Sequence, residues 1–390
     1  MRILIITPTF LPIIGGAEIA VFEIARRLAR HHKVLVLTPK KSSQALKNYS
    51  SNDPRYRISN FQTLYFNDGS VHLSFLKPLL LPFTFFFAFL RSFFCFKPDL
   101  VLHAYLLPAS LPIACWCKIR KIPFVLLFLG RPDVIGPETR AWKKFYFALV
   151  EKLADLLVGA TKFYLRLPNR SPKFRLIPLG IDLKRYEPLP ADKVQRLREK
   201  LKIPTDAPVL FTLQRLDPVK KVDFLLRSFR FIQEKNPKIY LIIGGKGPEE
   251  KKLRSLARKL ALKNVIFAGY IPEEEIPLYY NLADIFVFAS EFETFGIVVA
   301  QALACGTPVV AVKTTALPEV ISEGKDGVLV PKYNEKQFAQ AVIKLLANKK
   351  QLQQFGAHAV AKAQKRFDWE RIVRQLNRQI VSLVKKQKNF

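Results

Sequence analysis

Short apolar runs alternate with longer amphipathic stretches along most of the chain. RILIIT (2–7) is followed by a loop and then by AEIAVFEIARRLARH, where Val21, Ile24, Ala25 and Leu28 form one apolar stripe at helical spacing. KVLVLT (33–38), DLVLH (99–103), PFVLLF (123–128) and DLLVG (155–159) have strand length and are apolar without alternation. Runs of this kind suit strands covered on both faces, so they predict a parallel sheet with helices on each side. The pattern weakens between Asp182 and Asp206, where proline and charge accumulate. It restarts with PVLFTL (208–213), KIYLIIG (238–244), NVIFAG (264–269), DIFVFA (284–289) and TPVVAV (307–312). A chain of 390 residues exceeds what one core sustains. The prediction is therefore α/β, with two doubly wound, Rossmann-like parallel-sheet domains in tandem. We place the first at 1–185 and the second at 186–370, with 371–390 as a terminal helix. Ligands of such sheets bind beyond the carboxyl ends of the strands, which directs attention to the cleft between domains.

One segment breaks the alternation. LSFLKPLLLPFTFFFAFLRSFFCF (73–96) carries eight phenylalanines between Phe83 and Phe96. Thirteen uncharged residues separate Lys77 from Arg91, with Pro78 and Pro82 among them, which falls short of the roughly 20 needed to span a bilayer. As a helix its phenylalanines cover an arc of about 200°, wider than the stripe a surface helix needs to pack on a core. Thr84, Ala88, Ser92 and Cys95 are expected on the remaining side with Arg91. We read the segment as interfacial, docking on an anionic membrane surface, with RAWKKFYFALVEKLADLL (140–157) as a possible addition to the same face. The competing reading is a helix wholly covered by its neighbours.

Net charge narrows the choice of partners. The chain has 63 Lys+Arg against 31 Asp+Glu, a formal net charge of +32, and both halves are basic. Such a chain should meet polyanions, whether nucleic acid, acidic lipid or phosphorylated substrate. No DNA- or RNA-binding motif is visible, so nucleic acid ranks last. Cys95, Cys115, Cys117 and Cys305 lack zinc spacing and are expected as buried, reduced thiols. MRILIITPTF reads as a first strand and not as a signal peptide, which points to the cytoplasm.

Candidate chemistry clusters in three places. Gly15 and Gly16 stand at a helix start after the first strand, where backbone N–H groups can approach an anion; a plain strand-to-helix turn explains them equally well. Arg215 and Lys220 flank the loop after the first strand of the second domain, and two cations there suit a diphosphate, although singly they read as solvated charges. Glu293 precedes Phe295, Gly296 and Ile297 at another helix start, and Gln301 follows eight residues after Glu293. Simple pairing with the helix dipole is the plain alternative for Glu293. His103 ends a strand, where a satisfied structural histidine is expected.

Taken in order, these pieces resemble the retaining GT-B glycosyltransferases of the large family-4 group. The resemblance rests on GGAE (15–18), IPLGID (177–182), RLDPVKK (215–221), LIIGGKGPEEKKL (241–253), NVIFAGYIPEEEIPLYYNLADIFVFAS (264–290), ETFGIVVAQALACGTPVVA (293–311), LPEVISEGKDGVLV (317–330) and KRFDWERI (365–372). It implies a nucleotide-sugar donor, a lipid-linked or glycan acceptor, a C-terminal helix crossing back to the first domain, and neither metal nor cofactor. It further implies that Gly16 of the Gly15-Gly16 loop, Arg215 and Lys220 hold the donor diphosphate. Glu293 would contact a sugar hydroxyl, and the main chain of Phe295, Gly296 and Ile297 would meet sugar and phosphate. Gln301 would meet the ribose, and the main chain at Tyr270 and Ile271 the base.

The sequence departs from the family pattern where Gln301 replaces a glutamate and where Gln214 and Lys221 replace glycines. It departs again where Leu129 stands in place of a histidine that touches the donor 6-hydroxyl. The implied activity is metal-free transfer with retention, in cell-envelope polysaccharide or glycolipid synthesis, by a protein peripheral on the inner face of the cytoplasmic membrane. The rivals are a GT-B-shaped sugar-nucleotide epimerase and a catalytically idle nucleotide- or polyanion-binding scaffold. The first lacks a convincing His/Asp/Glu set. Leu129 and Gln301 favour the second, whereas Glu293, Arg215 and Lys220 oppose it.

Overall fold

The apolar runs become two all-parallel sheets in a computed structural model. It describes residues 1–10, 16–39, 61–66, 77–130, 140–163, 173–331 and 334–388, with the side chains of 61–66, 77–82 and 388 left aside. In the first unit, β1 (Arg2–Ile6), β2 (Lys33–Pro39), β3 (Phe61–Phe66), β4 (Leu100–Ala104), β5 (Phe124–Phe128), β6 (Leu156–Gly159) and β7 (Phe174–Leu176) run in the order 3-2-1-4-5-6-7. In the second, β8 (Val209–Leu213), β9 (Tyr240–Gly244), β10 (Val265–Gly269), β11 (Ile285–Phe288), β12 (Val309–Val312) and β13 (Gly327–Val330) run 10-9-8-11-12-13. Each order reverses once, between β1 and β4 and between β8 and β11. Those switch points are where doubly wound sheets bind ligands.

The first unit comprises Met1–Leu179 and Trp369–Phe390, and the second Gly180–Asp368. The division thus falls a few residues before the expected boundary at 185. The terminal helix α13 (Trp369–Lys388) belongs to the first unit. It is fixed there by Glu370, whose carboxylate accepts from Arg27 at 3.0 Å and from Arg30 at 2.8 Å, both from α1 (Gly16–Leu28) or its end. His32 meets Asn377 of α13 at 2.8 Å.

Three helices cover one face of the first sheet: α2 (Lys77–Phe96), α3 (Ser110–Ile119) and α4 (Ala141–Leu153). Phe85, Phe89 and Phe93 of α2, Ile113 and Cys117 of α3, and Phe147 and Val150 of α4 share one core with Ile6, Val101, Leu126 and Phe128 of the strands. The phenylalanine-rich helix is therefore partly a core element. Phe93 is buried, and Ser92, expected on the polar side, is buried as well, its hydroxyl donating to the Ala88 carbonyl at 2.8 Å. Phe83, Phe87 and Phe94 face outward. Cys117 and Cys305 are buried as expected, whereas Cys95 and Cys115 are exposed, because they fall on the outward stripes of α2 and α3.

His103 closes β4 inside the protein, with its ring edge-on to Phe124 at 5.8 Å. It is fully buried, and neither ring nitrogen reaches a partner at hydrogen-bond geometry, so the expectation of a satisfied histidine fails. Burial drives its pKa from 6.5 down to about 4, an effect that the adjacent backbone of Tyr105 and Ala104 only partly offsets. The folded state thus keeps the ring neutral while the unfolded chain takes a proton below pH 6.5. Stability conferred above pH 6.5 is lost as the pH falls toward 4, by about 2 kcal/mol at pH 5. Chemical denaturation between pH 7 and 5 should show this acid loss in the parent chain and a shallower loss in His103→Leu. Equal slopes would exclude His103 as the sensor.

Candidate functional site

The second sheet's switch point brings Lys220, Glu293 and Gly296 together. The loop after β8 runs through Gln214–Asp217 into a 3₁₀ turn, Pro218–Lys220, and helix α6 (Val222–Lys235) follows. Lys220 therefore ends a turn ahead of the helix and does not start the helix itself. Lys221, where the family usually has glycine, takes the left-handed conformation with φ +51°. A lysine there bears a strain that glycine avoids.

The loop is held in place by its neighbour after β9. Leu216 N–H donates to Lys246 O at 3.0 Å, and Glu249 N–H donates to Leu216 O at 3.0 Å. This approach requires glycine. A Cβ on Gly245 (φ +113°) would stand 2.0 Å from Gln214 O, and one on Gly247 would stand 2.4 Å from Leu216 O. The GGKG run thus shapes the cation loop from outside the motif.

The loop after β11 supplies the other half. Lys220 Nζ donates to Glu293 Oε1 at 2.5 Å and lies 6.0 Å from the centre of the Phe288 ring, the last residue of β11. Glu293 is fixed through its backbone: its N–H donates to Thr315 Oγ1 at 2.9 Å, and the same hydroxyl donates to the Glu293 carbonyl. Lys221 pairs with Glu291 at 3.5 Å, and Glu291 N–H donates to Val219 O at 2.8 Å. The two loops are therefore joined by two ion pairs, Lys220–Glu293 and Lys221–Glu291, and by one backbone bond. Both partners stay partly accessible, at 23% and 14% of their side-chain surface. Lys220 keeps ammonium hydrogens beyond the one given to Glu293, and the carboxylate keeps acceptor capacity.

Three residues beyond Glu293, Gly296 takes φ +88° as the N-cap of α9 (Ile297–Ala304). A Cβ at Gly296 would stand 2.8 Å from Leu317 Cδ2, so both conformation and space demand glycine. The first-turn amides, those of Ile297 and Val298 included, have no intrahelical acceptors and offer a positive terminus to an anion. Phe295 has its ring buried edge-on against Phe367 at 5.7 Å, so only its main chain is available.

The remaining expected residues are placed differently. Arg215 is 74% exposed in its side chain and pairs with Asp217 of its own loop. Gln301 is buried and accepts from the Tyr280 hydroxyl at 3.1 Å, which leaves its carbonyl one further lone pair. Ile271 is buried beneath Gly244, whereas Tyr270 is exposed. Gly16 opens α1 in the first unit, and Gly15 lies outside the described residues. Leu129 directly follows β5 and is buried. Thr315, Phe288 and Asp217 were missed from sequence, since no spacing signature marks them.

Residues 14–185 match the model of Glycosyltransferase Family 4, and residues 193–362 match that of glycosyl transferases group 1. D-inositol 3-phosphate glycosyltransferase 2 of Catenulispora acidiphila is 35% identical over 200 residues, which is 49% of this chain and 46% of that protein. Alpha-monoglucosyldiacylglycerol synthase of Streptococcus pneumoniae is 34% identical over 175 residues, covering 44% of this chain and 39% of that enzyme. The chain spans about half the length, or less, of these curated relatives. Among solved structures, sucrose-phosphate synthase from Thermosynechococcus elongatus superposes with a TM-score of 0.82 at 23% identity, covering 99% of both chains. Anabaena HepE in complex with UDP and glucose gives 0.77 at 20% identity, covering 98% of this chain and all of that one. With two family models spanning most of its length and both sheets in the doubly wound order, the chain belongs to the group 1 glycosyltransferases of the GT-B fold.

Proposed function

We propose that the protein transfers a sugar from a nucleotide-sugar donor to a lipid-linked or membrane-associated acceptor, with retention of configuration and without metal, in cell-envelope polysaccharide or glycolipid synthesis. The observation that carries this reading is the Lys220–Glu293 pair beside the start of α9, at the switch point of the second sheet. Lys220 and the first-turn amides supply the positive field that a departing diphosphate requires, and a fixed field at the developing charge is the main lever of such catalysis. Glu293, oriented by Thr315, offers its second oxygen to a sugar hydroxyl. Arg215 joins from the same loop once it leaves Asp217. Main chain at Tyr270 and Ile271 and the amide of Gln301 serve the nucleotide, and Gly16 the diphosphate.

The acceptor class is supported by relatives named for diacylglycerol and for phosphatidylinositol monomannoside acceptors, the latter a mannosyltransferase of Mycolicibacterium smegmatis. A peripheral position on the inner face of the cytoplasmic membrane follows from that class. No helix among the described residues is long and apolar enough to cross a membrane.

Leu129 further suggests the donor. An apolar side chain leaves a buried hydroxyl unpaired at a cost of about 1–3 kcal/mol, but it packs well on a methyl group or a hydrogen. The donor we propose is a 6-deoxyhexose or a pentose. Nucleotide-sugar pairs differing only at the 6-position, assayed with membrane lipid extract, should show transfer favouring the deoxy member, and Leu129→His should shift the preference toward the parent hexose. Preference for the 6-hydroxyl donor in the unaltered chain overturns the donor assignment, and no transfer from any donor overturns the activity.

A further inference from the structure

The outer surface of the α2–α4 layer is apolar and basic. Most large apolar side chains exposed anywhere among the described residues belong to this layer or its edge: Phe83, Phe87 and Phe94 of α2, Ile119 of α3, and Trp142 and Phe145 of α4. Each is between 55% and 75% exposed. On α2 the three phenylalanines fall on one stripe opposite the buried Phe85, Phe89 and Phe93, so the same helix presents one aromatic face inward and another outward. The helices are neighbours in one layer. Trp116 of α3 meets Phe94 at 5.8 Å, and Tyr146 of α4 donates its hydroxyl proton to Leu107 O at 2.6 Å, just before α3. Their apolar residues share a core against one sheet face, so their outward residues share a surface.

The exposed charges among the described residues of the three helices have one sign. Arg91, Lys118 and Lys152 are exposed, one from each helix, and Arg120 and Lys121 follow α3 directly. Among the described residues of the three helices, Glu151 is the one acid. It is half-buried, and burial lifts its carboxyl pKa to about 7, which weakens its negative charge. Asp155, just after α4, answers Lys118 at 3.9 Å but is itself mostly covered. Exposed aromatics rimmed by exposed cations match an interface of anionic head groups over acyl chains. A protein partner would need an apolar centre and an acidic rim to answer them, whereas an anionic bilayer presents both at once.

We propose that the outward face of α2, α3 and α4 together docks the protein on an anionic bilayer, with the first sheet lying roughly parallel to the membrane plane. The surface serves the membrane-associated acceptor proposed above and rests on that reading for its purpose. Vesicle binding needs neither donor nor acceptor, so its outcome is separable from that of the transfer assay.

The chain's three tryptophans provide the test. Trp142 is exposed, Trp116 is half-buried, and Trp369 is buried. The full chain is titrated with phosphatidylglycerol-containing vesicles whose acyl chains carry bromine, and with neutral phosphatidylcholine vesicles of the same kind. Expected are quenching and a blue shift on the anionic vesicles only, weakened by added salt, and largely removed by Trp142→Phe. Phe87→Ser, Phe94→Ser and Phe145→Ser combined should lower partitioning about tenfold or more, with an unchanged unfolding transition. Unchanged emission on anionic vesicles, or quenching that survives Trp142→Phe undiminished, overturns the proposal. Equal binding to neutral vesicles overturns its electrostatic part.

Discussion

Lys220→Ala and Glu293→Ala should each lower sugar transfer about a hundredfold, with little change in the unfolding transition. Lys220 carries a positive charge held at Glu293, four residues before the start of α9, and losing one such contact to a developing anion costs about 3 kcal/mol of barrier. Glu293→Ala acts twice, since it removes the acceptor for a sugar hydroxyl and releases Lys220 from its 2.5 Å partner. The two effects should therefore fall short of additive in the double variant, as expected for groups that touch. Arg215→Ala should cost less, because its exposed guanidinium is already paired with Asp217. Single-turnover rates of purified variants check this. Near-parental turnover in both single variants would remove Lys220 and Glu293 from the site.

Lys362→Met should destabilise the second unit by about 3–5 kcal/mol, the usual cost of stranding one partner of a buried ion pair. Asp326 is fully buried on the turn into β13. Its Oδ2 accepts from Lys362 Nζ at 2.6 Å and lies 3.0 Å from His358 Nδ1, while its Oδ1 accepts from Ser322 N–H at 2.8 Å. Lys362, on α12 (Lys349–Arg366), also donates to Val320 O at 2.6 Å, the last residue of α10 (Leu317–Val320). Burial lowers the Lys362 pKa, and Asp326 holds part of it back. The network bears on function because α10 carries Leu317, the side chain against which Gly296 is packed. Asp326→Asn combined with Lys362→Met keeps an acceptor for Ser322 and strands no charge, so it should recover most of the loss. Urea denaturation decides the matter. A loss under about 1 kcal/mol in Lys362→Met, or simple additivity in the double variant, would contradict the account.

The central strands were legible in sequence because burial on both faces makes them continuously apolar, as in β4, β5, β9 and β11. The edges were not. β7 (Phe174–Leu176) is largely exposed, β13 (Gly327–Val330) is half-buried, and neither they nor β3 carries a run long enough to separate from loop. The change of unit falls a few residues before the expected 185 for a related reason. A proline-rich, charged stretch marks surface, whereas the chain changes unit within IPLGID, where Ile181 pairs with Asp368 at the return crossing.

At the site, the spacing of Arg215, Lys220, Glu293 and Gly296 was visible, but the pairing of Lys220 with Glu293 across 73 positions was not. Sheet order makes that pair, by setting β8 beside β11. Thr315 was invisible because its role is a backbone contact. The phenylalanine-rich segment was read correctly as having more aromatic surface than one core contact uses. Which rings point outward depended on α3 and α4, and Ser92, expected on the side without phenylalanines, is buried.

The most direct measurement is calorimetric titration of the full chain with nucleoside diphosphates (UDP, GDP, ADP and dTDP) beside Lys220→Ala. One of them should bind the parent chain with a stoichiometry of about one, and Lys220→Ala should weaken that binding about tenfold or more through the lost charge-assisted contact. Binding of equal strength in Lys220→Ala, or no binding of any of the four to the parent chain, would contradict the placement of a donor diphosphate at the β8–β11 switch point.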